Sequence, residues 1–336
     1  MKRRVGIIGA GLIGNKRADA IVNTGRGEIV IVADIDKNRA ENFAHKYDCY
    51  ATCDWKDVVS DNDVNIVIVS VINKFLAPIS IAALEKRKHV LCEKPLGRNV
   101  LEAEAIVRTA QEKGVLLKTG FNHRYYPAIS RAKELFDKAE VGKLLFIRAR
   151  YGHGGRPGME KEWRANKELC GGGELLDQGV HIIDLCRWFA GSFDEVFGVV
   201  ETKFWDMEVD DNVFAIMKNN QGITVQFHAS WTNWKNIFSF EVFGDKGFLH
   251  VEGRGGSYGK QFLTFGRRRG ESGLPDVEVF DFPSNDVSWE EEWKDFMEAV
   301  ENKRQPLGSG LDGLEANRVV EAIYESAKKK QVIRLK

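Results

Sequence analysis

Several features that mark secreted, membrane-bound or nucleic-acid-binding chains are missing. The five cysteines stand at irregular positions, 49, 53, 92, 170 and 186, and form neither a disulfide framework nor paired zinc knuckles. A reducing, cytoplasmic setting is expected, with Cys49 and Cys53 as packing residues. No apolar run reaches the roughly 18 residues of a membrane span. Lys2, Arg3 and Arg4 open the chain like a targeting segment, but a strand and a glycine turn follow where a signal-type apolar stretch and cleavage site belong. Basic and acidic residues number 49 each, and the absence of a long Lys/Arg block argues against a nucleic-acid groove. Internal repeats and low-complexity linkers are also absent. What is present is a chain of 336 residues, 43% hydrophobic and 29% charged, long enough for a sizeable core and two domains.

The first third alternates short apolar runs with helical patterns. Strands are expected at 4–8, 29–33, 66–71, 89–92 and 116–119, with helices between them at 38–47, capped by Asp36, and at 100–113. That order predicts a parallel sheet wrapped by helices. Beyond residue 121 the texture changes. A helix at 128–138 precedes alternating runs to about residue 282, with hairpin-like turns at 219–222 and 245–247. Helical segments at 289–302 and 313–330 close the chain. The expected class is α/β, with a parallel-sheet domain over 1–121 and an antiparallel α+β domain over 122–336.

The first strand runs into GAGLIG, where Gly9, Gly11 and Gly14 complete G-x-G-x-x-G at a strand-to-helix junction. The three glycines meet different demands. Gly9 permits the tight turn, Gly11 lets the backbone approach a pyrophosphate, and Gly14 allows close helix packing. Leu12 and Ile13 open a helix whose free N–H groups suit phosphates. Asp34 closes the second strand, where a carboxylate accepts from ribose hydroxyls and repels a 2′-phosphate. NAD is therefore expected. Lys37 and Arg39 keep NADP as the second choice.

Two further stretches carry chemistry. HVLCEKPLG puts Lys94 at the carboxyl end of a strand, the edge where α/β sheets bind ligands, although a lone Lys-Pro also suits a surface turn. GGGELLDQGVHIID sets Asp177 and His181 four residues apart, one helical turn, with Asp184 continuing the row. The pattern alone fits an ordinary amphipathic helix equally well, with Glu174, Asp177, Gln178, His181, Asp184 and Arg187 as its solvated stripe. No third ligand stands at metal-binding spacing from the pair, so no metal is expected.

In this order, G-x-G-x-x-G, Glu-Lys-Pro and Gly-Gly-Gly-x-Leu-x-Asp-x-Gly-x-His resemble the glucose–fructose oxidoreductase, inositol dehydrogenase and MocA family. The likeness covers nearly the whole chain, including GFNHRYYPAI, VGKLLFIRARY and FEVFGDKGFL. It implies a second domain with a large, mostly antiparallel sheet for substrate binding and oligomerisation, its last helix packing back on the Rossmann domain. It also implies a homodimer or homotetramer and a nicotinamide-dependent reaction on a secondary alcohol of a sugar, cyclitol or nucleotide sugar. The implied cofactor contacts are Gly9, Gly11, Leu12, Ile13, Gly14, Asp34, Asn73, Glu93 and Lys94. The implied catalytic residues are Lys94, which hydrogen-bonds the reacting hydroxyl, Asp177 and His181. Histidine suits transfer of the hydroxyl proton, and a lysine suits stabilisation of developing alkoxide. One departure stands in SVINKFLAP, where the family commonly has Thr-Pro-Asn-x-x-His: Asn73 is kept, whereas Val71, Ile72 and Leu76 differ.

Weaker signals fill out the substrate side. Asn122, Arg124 and Tyr126, with His123 between them, follow the last Rossmann strand. Arg156, Trp163 and Arg164 sit in a glycine-rich loop that suits a sugar or phosphate, or a plain surface excursion. Trp231 and Trp234 fit core or subunit packing, and Arg267, Arg268 and Arg269 fit a solvated hairpin loop. An anionic handle on the substrate, held by Arg156, Arg164 or residues 267–269, is a further expectation. Two other functions are open at this stage: a glycosidase using NAD transiently and a non-catalytic nucleotide sensor.

Overall fold

The structure is a computed structural model describing residues 3–270 and 272–335; the basic start at Lys2 lies outside them, with Met1, Glu271 and Lys336. The chain forms two compact units. The first runs to Asn122 and takes in Trp289–Asn317; the second comprises His123–Ser288 and the chain from Arg318 onward.

In the first unit, β1 (Arg4–Ile8), β2 (Glu28–Ala33), β3 (Tyr50–Thr52), β4 (Ile66–Val69), β5 (His89–Cys92) and β6 (Leu117–Thr119) form a parallel sheet of order β3-β2-β1-β4-β5-β6. Strands covered on both faces need continuous apolar runs, and β4 is buried at all four positions. The order reverses between β1 and β4, the switch point at which such sheets bind ligands beyond their carboxyl ends. β4 stops at Val69, and the helix Asn73–Glu85 follows. β3 and the helix Trp55–Ser60 escape sequence reading because a three-residue edge strand has too little length for a pattern. Cys53, expected to pack, is exposed just beyond that edge strand, whereas Cys49 is half-buried against the core. Trp293, Phe296, Met297 and Val300 join Val5, Ile7, Ile29 and Leu91 in one cluster, which explains why this late segment belongs to the first unit.

The second unit is built on nine strands: β7 (Leu144–Gly152), β8 (Glu195–Glu201), β9 (Asn212–Lys218), β10 (Thr224–Ser230), β11 (Ile237–Gly244), β12 (Gly247–Glu252), β13 (Phe262–Arg267), β14 (Asp276–Asp281) and β15 (Ile333–Arg334). Their order is β14-β13-β12-β11-β7-β10-β9-β8-β15, antiparallel throughout except where β10 pairs with β7. Hairpins fall at the two expected turns. Strict alternation sorts the faces: in β9, Val213, Ala215 and Met217 are buried while Phe214 and Ile216 are exposed. The helices Pro127–Asp137 and Val180–Ala190 pack against the sheet, with Phe189 set 5.3 Å from Phe240. Among the described residues no helix is long and apolar enough to cross a membrane.

Candidate active site

The glycine turn after β1 has the geometry its spacing predicts. Gly9 has φ 101°, and a Cβ there would stand 2.3 Å from the Ser70 carbonyl oxygen. A Cβ on Gly14 would meet the Gly9 carbonyl oxygen at 1.9 Å, whereas Gly11 has nothing within 4 Å. The helix Leu12–Thr24 begins with no side-chain cap on its first N–H groups. Open space over Gly11 and an uncapped helix start fit a pyrophosphate. Asp34 accepts from the Ala10 N–H at 2.8 Å and from the Asp36 N–H at 2.9 Å, so its carboxylate also braces the turn. Lys37 pairs with Glu41 and Arg39 with Asp36; both cations thus have acidic partners, which weakens the case for a 2′-phosphate. Leu12 is exposed and Asn73 is buried at the start of its helix.

Glu93, one of the expected cofactor contacts, is held by a buried ion pair. Its carboxylate accepts from Arg17 Nε at 2.7 Å, and Arg17 also pairs with Glu292. Lys118 Nζ lies 3.5 Å from the other Glu292 oxygen. Burial raises the Glu93 pKa against the opposing pull of Arg17. For Arg17, burial works against the charge, but Glu292 and Glu93 outweigh it and the pKa rises. The residue next to Lys94 is thereby anchored in a buried ion cluster.

In the second unit two of the three consecutive glycines, Gly172 and Gly173, meet packing demands. A Cβ on Gly172 would stand 2.4 Å from the Tyr324 hydroxyl, and one on Gly173 would stand 1.9 Å from the Asp210 carbonyl oxygen. The Asp210 carboxylate accepts from the backbone N–H groups of Gly173 (3.0 Å) and Leu175 (2.8 Å), and from Tyr324 Oη (2.7 Å). Thus anchored, the chain makes a π-turn over Leu175–Gly179 before the α-helix Val180–Ala190. Single π-turns within helices recur at functional sites. The simple row expected from 3.6 residues per turn is therefore displaced at Asp177.

The solvated-stripe reading fails because Glu174, Gln178, His181 and Asp184 are all buried, His181 at 5% exposure. The His181 ring stacks on His123, with centroids 3.7 Å apart and planes 20° apart. His123 Nε2 lies 3.2 Å from Tyr151 Oη, and burial drives the Tyr151 pKa well above its ordinary value. Asp177 acts electrostatically on both Tyr151 and His153. The His153 pKa is lowered, chiefly by burial.

Arg124 forms a buried two-pronged ion pair with Asp184, at 2.8 and 2.5 Å. Tyr126 is buried and accepts from Arg254 at 2.9 Å. Asn122 is buried. Arg156 and Arg164 both face Glu162, at 2.6 and 3.7 Å. Trp163 packs beside Met159, Cys170, Val209 and Trp231; Trp231 is core, while Trp234 is exposed. Sequence reasoning missed Tyr151, Asp210 and Arg254. The Asp210–Asp211 doublet ahead of a strand is the available signal for one of them.

The first unit, with its switch point, glycine turn and acidic end of β2, is a dinucleotide-binding module of the Rossmann kind. The chain belongs to the GFO/IDH/MocA family: residues 3–121 match its NAD-binding Rossmann-fold oxidoreductase model, and residues 129–250 match its C-terminal domain model. It is thus an NAD-dependent oxidoreductase. The inositol 2-dehydrogenase of Salmonella typhimurium is 30% identical over 262 residues, covering 75% of this chain and 74% of that protein. The levoglucosan dehydrogenase of Pseudarthrobacter phenanthrenivorans is 27% identical over 247 residues, covering 65% of this chain and 63% of its own length. A solved levoglucosan dehydrogenase in complex with NADH shares the fold, with a TM-score of 0.91 at 23% identity and 100% coverage of both chains.

Proposed function

We propose that the protein is an NAD-dependent dehydrogenase transferring hydride between the cofactor and a secondary alcohol of a sugar, cyclitol or nucleotide sugar. The carrying observation is the glycine-anchored, buried turn that presents Asp177 and His181, in a chain whose other unit is an NAD-binding Rossmann fold. The relatives named for inositol and levoglucosan support a polyol substrate. The glycine turn and Asp34 hold the dinucleotide, and the bound nicotinamide supplies the hydride acceptor. His181 takes the hydroxyl proton, Asp177 orients the ring or a neighbouring substrate hydroxyl, and Lys94 stabilises charge developing on the oxygen.

The test is a steady-state screen of free sugars, inositols and nucleotide sugars with NAD and NADP. Net NADH formation on at least one of them is expected, with the higher kcat/KM for NAD. A bond cleavage without net NADH would identify transient redox instead, and a clear NADP advantage would remove the role given to Asp34.

The same reading extends to assembly as a homodimer or homotetramer. The side of the nine-stranded sheet carrying Phe197, Ile216, Arg148 and Glu241 in one cross-strand row also exposes Phe146 and Phe214. Exposed large apolar side chains gathered on one sheet face, here Phe146, Phe197, Phe214 and Ile216 beside the Arg148–Glu241 ion pair, favour association. Light scattering is expected to give a multiple of the 37.9 kDa chain mass; a monomer at micromolar concentration would remove this proposal.

A further inference from the structure

Four arginines that sequence reading offers as anion ligands already have acidic partners: Arg156 and Arg164 share Glu162, Arg267 faces Glu278, and Arg269 pairs with Asp276. Arg254, which no sequence motif singles out, differs. It follows β12 and is half-buried, with its guanidinium 3.9 Å from the Tyr258 ring centroid and 5.4 Å from that of Tyr151. Its Nη1 donates to Tyr126 Oη at 2.9 Å, and its Nε has no hydrogen-bond partner. Among the described residues no carboxylate forms an ion pair with it. Glu174 and Asp286 act on Tyr258 and Tyr126 respectively, but neither pairs with Arg254. Burial opposes its charge, yet the three surrounding phenols keep its pKa raised.

A half-buried cation with no carboxylate paired to it keeps its capacity to take up an anion. A ligand oxyanion would supply the missing partner. Arg254 also belongs to the surroundings of the proposed catalytic residues. Tyr151, beside which it lies, meets His123, and His123 stacks on His181. Gln178, the neighbour of Asp177, donates to Tyr258 Oη at 3.1 Å. Arg254 and Asp177 both act electrostatically on His153.

We propose that Arg254 binds an oxyanion carried by the substrate, a carboxylate or a phosphate on the polyol, at a position removed from the hydroxyl that is oxidised. The guanidinium fork matches either group in two-pronged fashion, and the Tyr151 and Tyr258 rings flank it. The proposal rests on the polyol dehydrogenase reading and narrows its substrate to an acid or a phosphate ester.

The experiment compares wild type with Arg254→Gln and Arg254→Lys, all loaded with NADH, by calorimetric titration with D-glucose, D-glucuronate and D-glucose 6-phosphate. A parallel turnover panel pairs neutral polyols with their aldonates, uronates and phosphates. Wild type is expected to favour anionic members at least about tenfold over their neutral parents, as one charge-assisted contact allows. Arg254→Gln should erase that ratio with NADH affinity unchanged, and Arg254→Lys should keep part of it. The uronate and phosphate arms show which oxyanion is meant. Equal binding of neutral and anionic members, or an anion preference that survives Arg254→Gln, overturns the proposal. If NADH binds but no alcohol is oxidised, the dehydrogenase reading fails, and the titration alone then decides: tighter anion binding to wild type than to Arg254→Gln upholds the site, and equal binding removes it.

Discussion

His181→Ala is expected to lower kcat on the order of 100-fold or more while leaving NAD affinity nearly unchanged, because a positioned general base contributes that much. His181 is 5% exposed and held face to face with His123, so it cannot drift from its position or be replaced readily by water. The glycine turn and Asp34 belong to the other unit, which is why cofactor affinity should survive. Truncation also leaves a gap beside His123. His181→Gln, which fills that gap but cannot act as a base near neutral pH, should therefore be as inactive as the alanine variant. A pH profile separates chemistry from structure: the limb of kcat/KM set by the base should disappear in both variants. Lys94→Ala should do comparable damage through lost charge stabilisation. Near-normal turnover at saturating substrate and cofactor would remove either residue from the mechanism. Loss of NAD binding in Lys94→Ala would move Lys94 to the cofactor and leave His181 and Asp177 to act without it.

The parts of the molecule legible in sequence are those governed by local rules. The parallel sheet announces itself through apolar runs, and Gly9, Gly11 and Gly14 through steric demands that the structure puts at 2.3 Å, open space and 1.9 Å respectively. Asp36 caps its helix by accepting from the Arg39 N–H, a contact three residues long. What stays hidden is settled by partners distant in sequence. The π-turn at Asp177 leaves no mark in the pattern of side chains; its anchor, Asp210, lies 35 residues from Leu175. Arg124 looks available for substrate because its partner Asp184 is 60 residues away. Trp289–Asn317 looks like part of the second domain because amphipathicity tells that a helix is covered, not by what. Arg254 is invisible for the opposite reason: its distinction is the lack of an acidic partner, and an absence of that kind exists only in three dimensions.

Arg17→Met is expected to be the most destabilising of these substitutions, by about 3–5 kcal/mol, the usual cost of leaving buried charge uncompensated. Glu93 and Glu292 both depend on Arg17, and their side chains are 10% and 0% exposed. Without the guanidinium, Lys118, at 3.5 Å from Glu292, and Lys94, which acts on Glu93, are cations that stay near the two carboxylates. The pH dependence follows from direction alone. The Glu93 pKa is already raised by burial, with Arg17 holding it down, and removing Arg17 lifts it further. A carboxyl whose folded pKa exceeds its unfolded value makes the native state bind more protons, so stability is fully present below the unfolded pKa and is lost as pH rises through the folded one. Arg17→Met should therefore lose more stability at about pH 8 than at about pH 5. Hydrogen exchange of the β5 amides, which report on the first unit, gives the measurement. Adding Glu93→Gln should recover part of the loss at the higher pH and flatten the dependence, because the orphaned charge is gone. A loss equal at both pH values would mean that Arg17 acts through packing rather than charge. Because Glu93 immediately precedes Lys94, the single variant should also lower kcat at temperatures where it remains folded, and the double variant, which restores neutrality but not the anchor, should leave that kinetic defect in place.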